Sequence, residues 1–213
     1  MKTAYLFSIL LVISLGSVAQ THADINEAGL KLMEKGQYKQ ALPIFEKLVY
    51  AEPDNTVFRY NRAVTYFNLK RYKEALQDYL WLAEEYPEEP EYQFQIGNLY
   101  YELNQQTKVA AYYNRAIALD GDSFMYYFKR GTYYMKADRY DLALADFNKS
   151  LDLNPRHANS LHNRGIIQYR TGQTDKACED WCQAQLLGSS ISGIHMEKNC
   201  KVYPQACLLS KVK

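Results

Sequence analysis

Residues 131–155 read GTYYMKADRYDLALADFNKSLDLNP. Apolar residues recur there at three- and four-residue spacing on both sides of Ala137-Asp138, which predicts two short amphipathic helices joined by a turn. Gly131 and Ala143 are small, Tyr134, Tyr140 and Phe147 are aromatic, and Pro155 closes the second helix. Proline does this because it disfavours helix at the residue before it.

The same pattern returns every 34 residues. A small residue stands at Gly29, Ala63, Gly97, Gly131 and Gly165, and a second small slot holds Ala41, Ala75, Val109, Ala143 and Ala177. An aromatic slot holds Phe45, Tyr79, Tyr113, Phe147 and Trp181. A turn aromatic appears at Tyr38, Tyr72 and Tyr140, with Gln106 and Thr174 as exceptions. The closing proline appears at Pro53, Pro87 and Pro155, with Gly121 and Ser189 as exceptions. A fixed period of this size means stacked helical units, none able to bury its apolar face alone. The turn Asn104-Gln105-Gln106 lacks both glycine and aromatic, so it is expected to be the least regular joint. Asp24-Ile25-Asn26-Glu27 reads as a capping box opening the first helix.

This pattern resembles the tetratricopeptide repeat, a 34-residue helix–turn–helix unit. Five repeats fit, at 22–55, 56–89, 90–123, 124–157 and 158–191. The first-helix tryptophan common in that family is replaced by Ile25, Arg59, Gln93, Tyr127 and Leu161. The resemblance implies an all-α fold, a right-handed superhelical solenoid of five helix–turn–helix repeats. An amphipathic helix over 190–201, with Ile191 and Ile194 on one side, is the expected C-terminal cap, and 202–213 is a tail. A solenoid's cap presents a polar outer face. The run Ala177-Cys178-Glu179-Asp180-Trp181, followed by Leu187-Gly188, resembles the last repeat of exported bacterial members, especially those of Bacteroidetes-type organisms.

Export is also written at the other end. Lys2 precedes an apolar run from Ala4 to Leu15, too short to span a bilayer. Ser17-Val18-Ala19 supplies the small residues of a cleavage site, so 1–19 reads as a secretory signal peptide. Thr21-His22-Ala23 is a second cleavage possibility and an uncleaved anchor is the alternative. The expected location is periplasmic or extracellular, with no stable membrane insertion after cleavage. The first cysteine is Cys178, which leaves no thiol for a lipid at the new N-terminus. Across 213 residues the net charge is +1, so neither nucleic acid nor an anionic membrane is implied as partner.

Twenty tyrosines are present. Eight of them, at Tyr38, Tyr66, Tyr72, Tyr79, Tyr100, Tyr113, Tyr134 and Tyr140, fall on repeat slots and read as packing residues. The family resemblance places the first helix of each repeat on a concave face. There it implies a partner groove of Asn26, Tyr60, Asn61, Phe67, Asn68, Phe94, Gln95, Asn98, Tyr101, Phe128, Lys129, Thr132, Lys136, His162, Asn163, Tyr169 and Arg170. Amides suit the backbone of an extended peptide, and aromatics suit its apolar side chains. Lys129, Lys136 and Arg170 gather positive charge late in the array, where a carboxylate or acidic segment is expected.

The four cysteines are Cys178, Cys182, Cys200 and Cys207. In an exported chain an even count favours disulfides. Cys178–Cys200 is the first choice, stapling the cap to the last repeat; Cys182–Cys207 follows, and Cys182–Cys200 competes. A zinc site from Cys178, Cys182, His195 and Cys200 matches no standard ligand spacing, and no metal or cofactor is expected. Phosphate loops, nucleophile elbows and His-Glu-x-x-His are absent from the sequence. The function expected is therefore a non-enzymatic scaffold that binds a protein or peptide in its groove. The alternative is an accessory subunit of a cell-envelope assembly, in outer-membrane biogenesis or surface polysaccharide handling, acting through its convex face or self-association.

Overall fold

The computed structural model describes residues 22–201 and Cys207. The expected signal segment 1–19 and the tail 202–213, apart from Cys207, lie outside the described residues. Among the described residues every regular element is α-helical. A first helix, α1, occupies 22–34. It is followed by α2 (Tyr38–Ala51), α3 (Thr56–Asn68), α4 (Tyr72–Glu85), α5 (Pro90–Glu102) and α6 (Gln106–Leu119). Then come α7 (Phe124–Lys136), α8 (Tyr140–Leu153), α9 (Ala158–Arg170), α10 (Thr174–Leu186) and α11 (Ser190–Asn199). The chain divides into a first compact block ending at Glu88 and a second beginning at Glu89. No described helix is long and apolar enough to cross a membrane.

Helices pair because a small residue on one meets a ring on the next. Phe45, Tyr79, Tyr113, Phe147 and Trp181 are all at most 2% exposed. A methyl group added at Gly29 would lie 2.6 Å from the Phe45 ring, at Gly97 2.7 Å from Tyr113, and at Gly165 2.6 Å from the Trp181 indole nitrogen. Packing at interior density leaves no room for that atom. The repeat's small slot is thus the seat of its aromatic slot.

A second clamp also recurs with the period. Arg62 grips Asp78 with Nε and Nη2 at 2.8 and 2.7 Å. Arg130 grips Asp146 at 2.9 and 2.6 Å, and Arg164 grips Asp180 at 2.7 and 2.7 Å. These bidentate pairs tie the two helices of repeats two, four and five. Arg130 and Arg164 also reach one helix back, donating Nη1 to Asn114 and Asn148. Planar guanidinium suits this fork geometry as lysine would not. The three aspartates are each at most 4% exposed.

The turn at Asn104 is not irregular. Asn104 takes φ 57°, beside 60° at Lys70 and 54° at Asp138. Gln105 donates its amide to Tyr100 O at 2.9 Å, as Arg71 does to Tyr66 O and Arg139 to Tyr134 O. This six-to-one bond closes a helix end through a left-handed residue. Asparagine tolerates that conformation better than most side chains, so the missing glycine changes nothing in the backbone.

Two expectations about the ends are corrected. Asp24 does not cap α1, because the helix is already formed at residue 22. Glu27 pairs with Lys31 at 2.7 Å, one turn on, instead of reaching back. The cap helix α11 also turns the other way. Ser192, Gly193 and Met196 are buried, whereas Ile191 and Ile194 are 54% and 63% exposed. At Gly193 α11 comes close to α10, where an added methyl would lie 2.9 Å from Gln185 Nε2 at the flexible end of that side chain.

Disulfides join Cys178 to Cys200 and Cys182 to Cys207, with Cα separations of 5.9 and 5.8 Å. The Cys182–Cys200 alternative does not form, and all three sulfurs that a zinc site would have used are taken up in these two disulfides. Met196 and Trp181 pack in the same cluster as all four cysteines.

Candidate partner-binding surface

In the first block, Tyr60 packs edge-on to Tyr79 with centroids 6.0 Å apart. Asn61 is only 6% exposed and donates to Asn26 Oδ1 at 2.9 Å, so it joins the first repeat to the second. Phe67 meets the edge of Tyr72 at 5.6 Å. Asn68 is exposed, its amide turned to Val64 O of its own helix.

In the second block α7 touches both α5 and α9, so the first helices of repeats three to five form one layer. Three registers of that layer behave differently. The register of Phe94, Phe128 and His162 faces inward. Phe94 is 6% exposed, lying between Tyr113 and Tyr126 with centroids at 5.8 and 4.6 Å; it is a core residue and not a groove residue. Phe128 stands edge-on to His157 at 4.6 Å. His162 Nδ1 lies 2.8 Å from Ser192 Oγ, and its ring faces His195. Burial, and then the positive charge that His195 can carry, hold the His162 pKa below its ordinary value.

The register of Gln95, Lys129 and Asn163 is more open. Lys129 is exposed; Gln95 and Asn163 are half-buried. Gln95 belongs to a chain of polar groups running out from the core. The Tyr113 hydroxyl donates to Asn98 Oδ1 at 2.8 Å, Asn98 Nδ2 to Gln95 Oε1 at 3.1 Å, and Gln95 Nε2 to Glu91 Oε1 at 2.6 Å. Burial raises the Glu91 pKa, against the Gln95 bond that lowers it. An amide has two N–H donors, and this chain engages one from each of Gln95 and Asn98. Thr132 turns its hydroxyl to Phe128 O at 2.8 Å.

The turn end of the layer carries the remaining residues. Lys136 Nζ sits 4.6 Å over the Tyr101 ring. Arg170 Nη1 donates to the Tyr140 hydroxyl at 2.8 Å. Tyr169 is 42% exposed and leans on Trp181 at 5.6 Å. Lys129, Lys136 and Arg170 form no ion pair among the described residues, in contrast to Arg130 and Arg164 of the same helices. The layer therefore offers fixed amides, the exposed ring of Tyr169 beside the half-buried Tyr101, and, among the described residues, cations without ion pairs.

Two cavities open at that end. One, of about 580 Å³, is lined by Tyr101, Glu102, Asn104, Gln106, Tyr133, Lys136 and Ala137. Another, of about 490 Å³, is lined by Tyr169, Thr174, Asp175, Cys178, Asn199 and Lys201. Sequence reasoning placed Tyr101, Lys136 and Tyr169 on the surface but missed Asn104, Gln106 and Tyr133. The signal available was the absent turn aromatic at Gln106 and Thr174.

Four models of the tetratricopeptide repeat match the chain, over residues 32–93, 72–124, 124–157 and 147–179. Among solved structures, MamA from Desulfovibrio magneticus RS-1 superposes with a TM-score of 0.69 at 14% identity, covering 85% of this chain and 97% of its own. TTC0263, described as a thermophilic TPR protein of Thermus thermophilus, gives 0.66 at 16%, covering 85% and 100%. YrrB, described as a TPR protein with an unusual peptide-binding site, gives 0.64 at 20%, covering 82% and 90%. At these identities the likeness is one of fold. No curated protein sequence matches the chain.

Proposed function

We propose that this chain, which belongs to the tetratricopeptide repeat family, is a non-enzymatic scaffold that binds a peptide segment of another protein across the first-helix layer of α5, α7 and α9. The observation that carries the reading is the set Lys129, Lys136 and Arg170. Among the described residues these cations have no carboxylate partner, on helices whose other arginines are paired bidentately. A carboxylate or acidic stretch of the partner would complete them. Asn98, held by the Tyr113 hydroxyl, and Gln95, held by Asn98 and Glu91, would receive the partner's backbone. Because these groups are already positioned, binding loses little further side-chain freedom. The peptide-binding site for which YrrB is described supports the class of partner.

We place the protein outside the cytoplasm, in the periplasm or the extracellular space. The signal-like residues 1–19 and two disulfides support that location, since disulfides persist in oxidising compartments. The test is charge reversal. Lys129→Glu, Lys136→Glu and Arg170→Glu together are expected to abolish capture of the partner from an envelope extract while leaving helical content unchanged. Undiminished capture would sink the proposal.

A second reading is supported by the outward Ile191 and Ile194 of α11. There the protein is an accessory subunit of an envelope assembly that docks or self-associates through its terminal helix. Light scattering of the wild type and of Ile191→Asp/Ile194→Asp separates the two: a mass that halves in the variant favours the second reading.

A further inference from the structure

We propose that the cavity beside Gln106 is a receptor for one aromatic side chain of the partner, a tyrosine. The partner's being a peptide rests on the function proposed above; the chemistry of the cavity does not.

The neighbouring repeats show what this space holds. The slot opening the second helix carries Tyr38, Tyr72 and Tyr140 in repeats one, two and four. Tyr140 donates its hydroxyl to Asp138 Oδ1 at 2.7 Å and accepts from Arg170 Nη1 at 2.8 Å. Tyr72 packs its ring against Phe67. In repeats three and five the slot holds Gln106 and Thr174, and a cavity lies beside each. The backbone at Asn104 follows its siblings to within a few degrees. The space is therefore not a rearranged joint, but the room a ring would have filled.

The positions that serve a tyrosine in this slot hold an acceptor, a cation and a ring around Gln106 too, though as different residues. Asn104 stands in the register of Asp138, Lys136 in that of Arg170, and Tyr101 in that of Phe67. All three line the cavity. Gln106 already uses one of them as a hydroxyl would: its Nε2 donates to Asn104 Oδ1 at 3.0 Å. Lys136 rests over Tyr101, a cation–π contact that an entering ring can share. Tyr133 also lines the cavity, its hydroxyl donating to Gln106 O at 3.0 Å. The volume, about 580 Å³, falls in the range of clefts that hold small ligands.

Two features narrow the occupant. Glu102 and Lys136 on the wall set opposite charges side by side, which favours a neutral ring over a charged one. Asn104 offers an acceptor that phenylalanine cannot use. The cavity beside Thr174 has Gly172 in the register of Asn104 and so lacks that acceptor. The proposal is therefore confined to Gln106.

The experiment is a titration of the isotope-labelled chain with N-acetyl-tyrosinamide, followed by amide chemical shifts. N-acetyl-phenylalaninamide and N-acetyl-leucinamide serve as comparison probes. Shifts are expected at Asn104, Gln106, Lys136 and Ala137, with leucinamide at least fivefold weaker. Gln106→Tyr, which returns the family's ring to the slot, should weaken the tyrosine probe at least tenfold. Asn104→Gly, which keeps the left-handed turn, should make the tyrosine and phenylalanine probes equal. Shifts confined to other residues, leucinamide binding as well as tyrosinamide, or a folded Gln106→Tyr that binds like wild type would each overturn the proposal. None of these readouts involves the partner protein, so failure here and failure of partner capture are separately visible.

Discussion

Removing the carboxylate of Asp146 tests how the helices of a repeat are held. Asp146 is 4% exposed and takes both forks of Arg130, whose side chain keeps 19% of its surface in solvent. Asp146→Ala breaks two charge-assisted bonds of 2.9 and 2.6 Å, leaving the guanidinium only its bond to Asn114. Breaking one side of a buried pair costs about 3–5 kcal/mol. The partial exposure and the surviving Asn114 bond put Asp146→Ala near the lower end, at about 3 kcal/mol. Arg130→Ala should cost about 4 kcal/mol, because it strands the more deeply buried partner. Arg130→Met/Asp146→Leu removes both charges and fills the volume, and should lie within about 1.5 kcal/mol of wild type. Urea unfolding followed by circular dichroism gives the coupling across this cycle. Single variants that each cost under about 1 kcal/mol, or a double variant as unstable as the sum of the singles, would refute the reasoning.

Three other outcomes follow from the same structure. Gly165→Ala places a methyl 2.6 Å from Trp181 and 3.2 Å from the Ala177 carbonyl, so overpacking of about 1–3 kcal/mol should exceed the helix-propensity gain of about 1 kcal/mol. Gly131→Ala, with its nearest contact at 3.0 Å, should be milder, and thermal unfolding that ranks the two the other way contradicts the packing account. Burial lowers the pKa of both His157 and His162, so the unfolded chain binds their protons more readily than the folded one. Their contribution to stability is present above about pH 6.5 and is lost as pH falls from there through the lowered folded values. His157→Gln/His162→Gln should flatten that part of the profile, and an unchanged slope between pH 7 and 5 counts against it. Cys178→Ser/Cys200→Ser opens a link between residues 22 apart and should cost about 3 kcal/mol, with α11 amides exchanging first. Equal protection of α11 in both forms would show that the disulfide does not hold the cap.

The fold was legible because its period was legible. Gly131, Ala143 and Phe147 recur at one spacing, and the structure shows why: the ring sits where the small residue leaves room. The Arg–Asp clamps were legible by the same logic and were missed. Arg62, Arg130 and Arg164, with Asp78, Asp146 and Asp180, keep the period too, but charged residues read as surface until their pairing is seen. The candidate surface was legible only by residue type. Sequence could not tell Phe94 from Phe128 in the same register, because Tyr126 covers the first. Nor could it orient α11, which buries Ser192, Gly193 and Met196 and turns its two isoleucines outward. At Asn104 the missing glycine and aromatic suggested a distorted turn. Backbone bonding preserved the turn, and the difference went into an empty side-chain slot.

The central claim is that a partner peptide lies on the first-helix layer of α5, α7 and α9. Hydroxyl-radical footprinting of the chain, with and without the partner captured from the native envelope, tests it most directly. The account predicts protection of Tyr101 and Tyr169, with Leu142 and Leu186 on the second helices unchanged. Protection at Leu142 and Leu186, or at Ile191 and Ile194, with Tyr101 and Tyr169 still open to labelling, would contradict it.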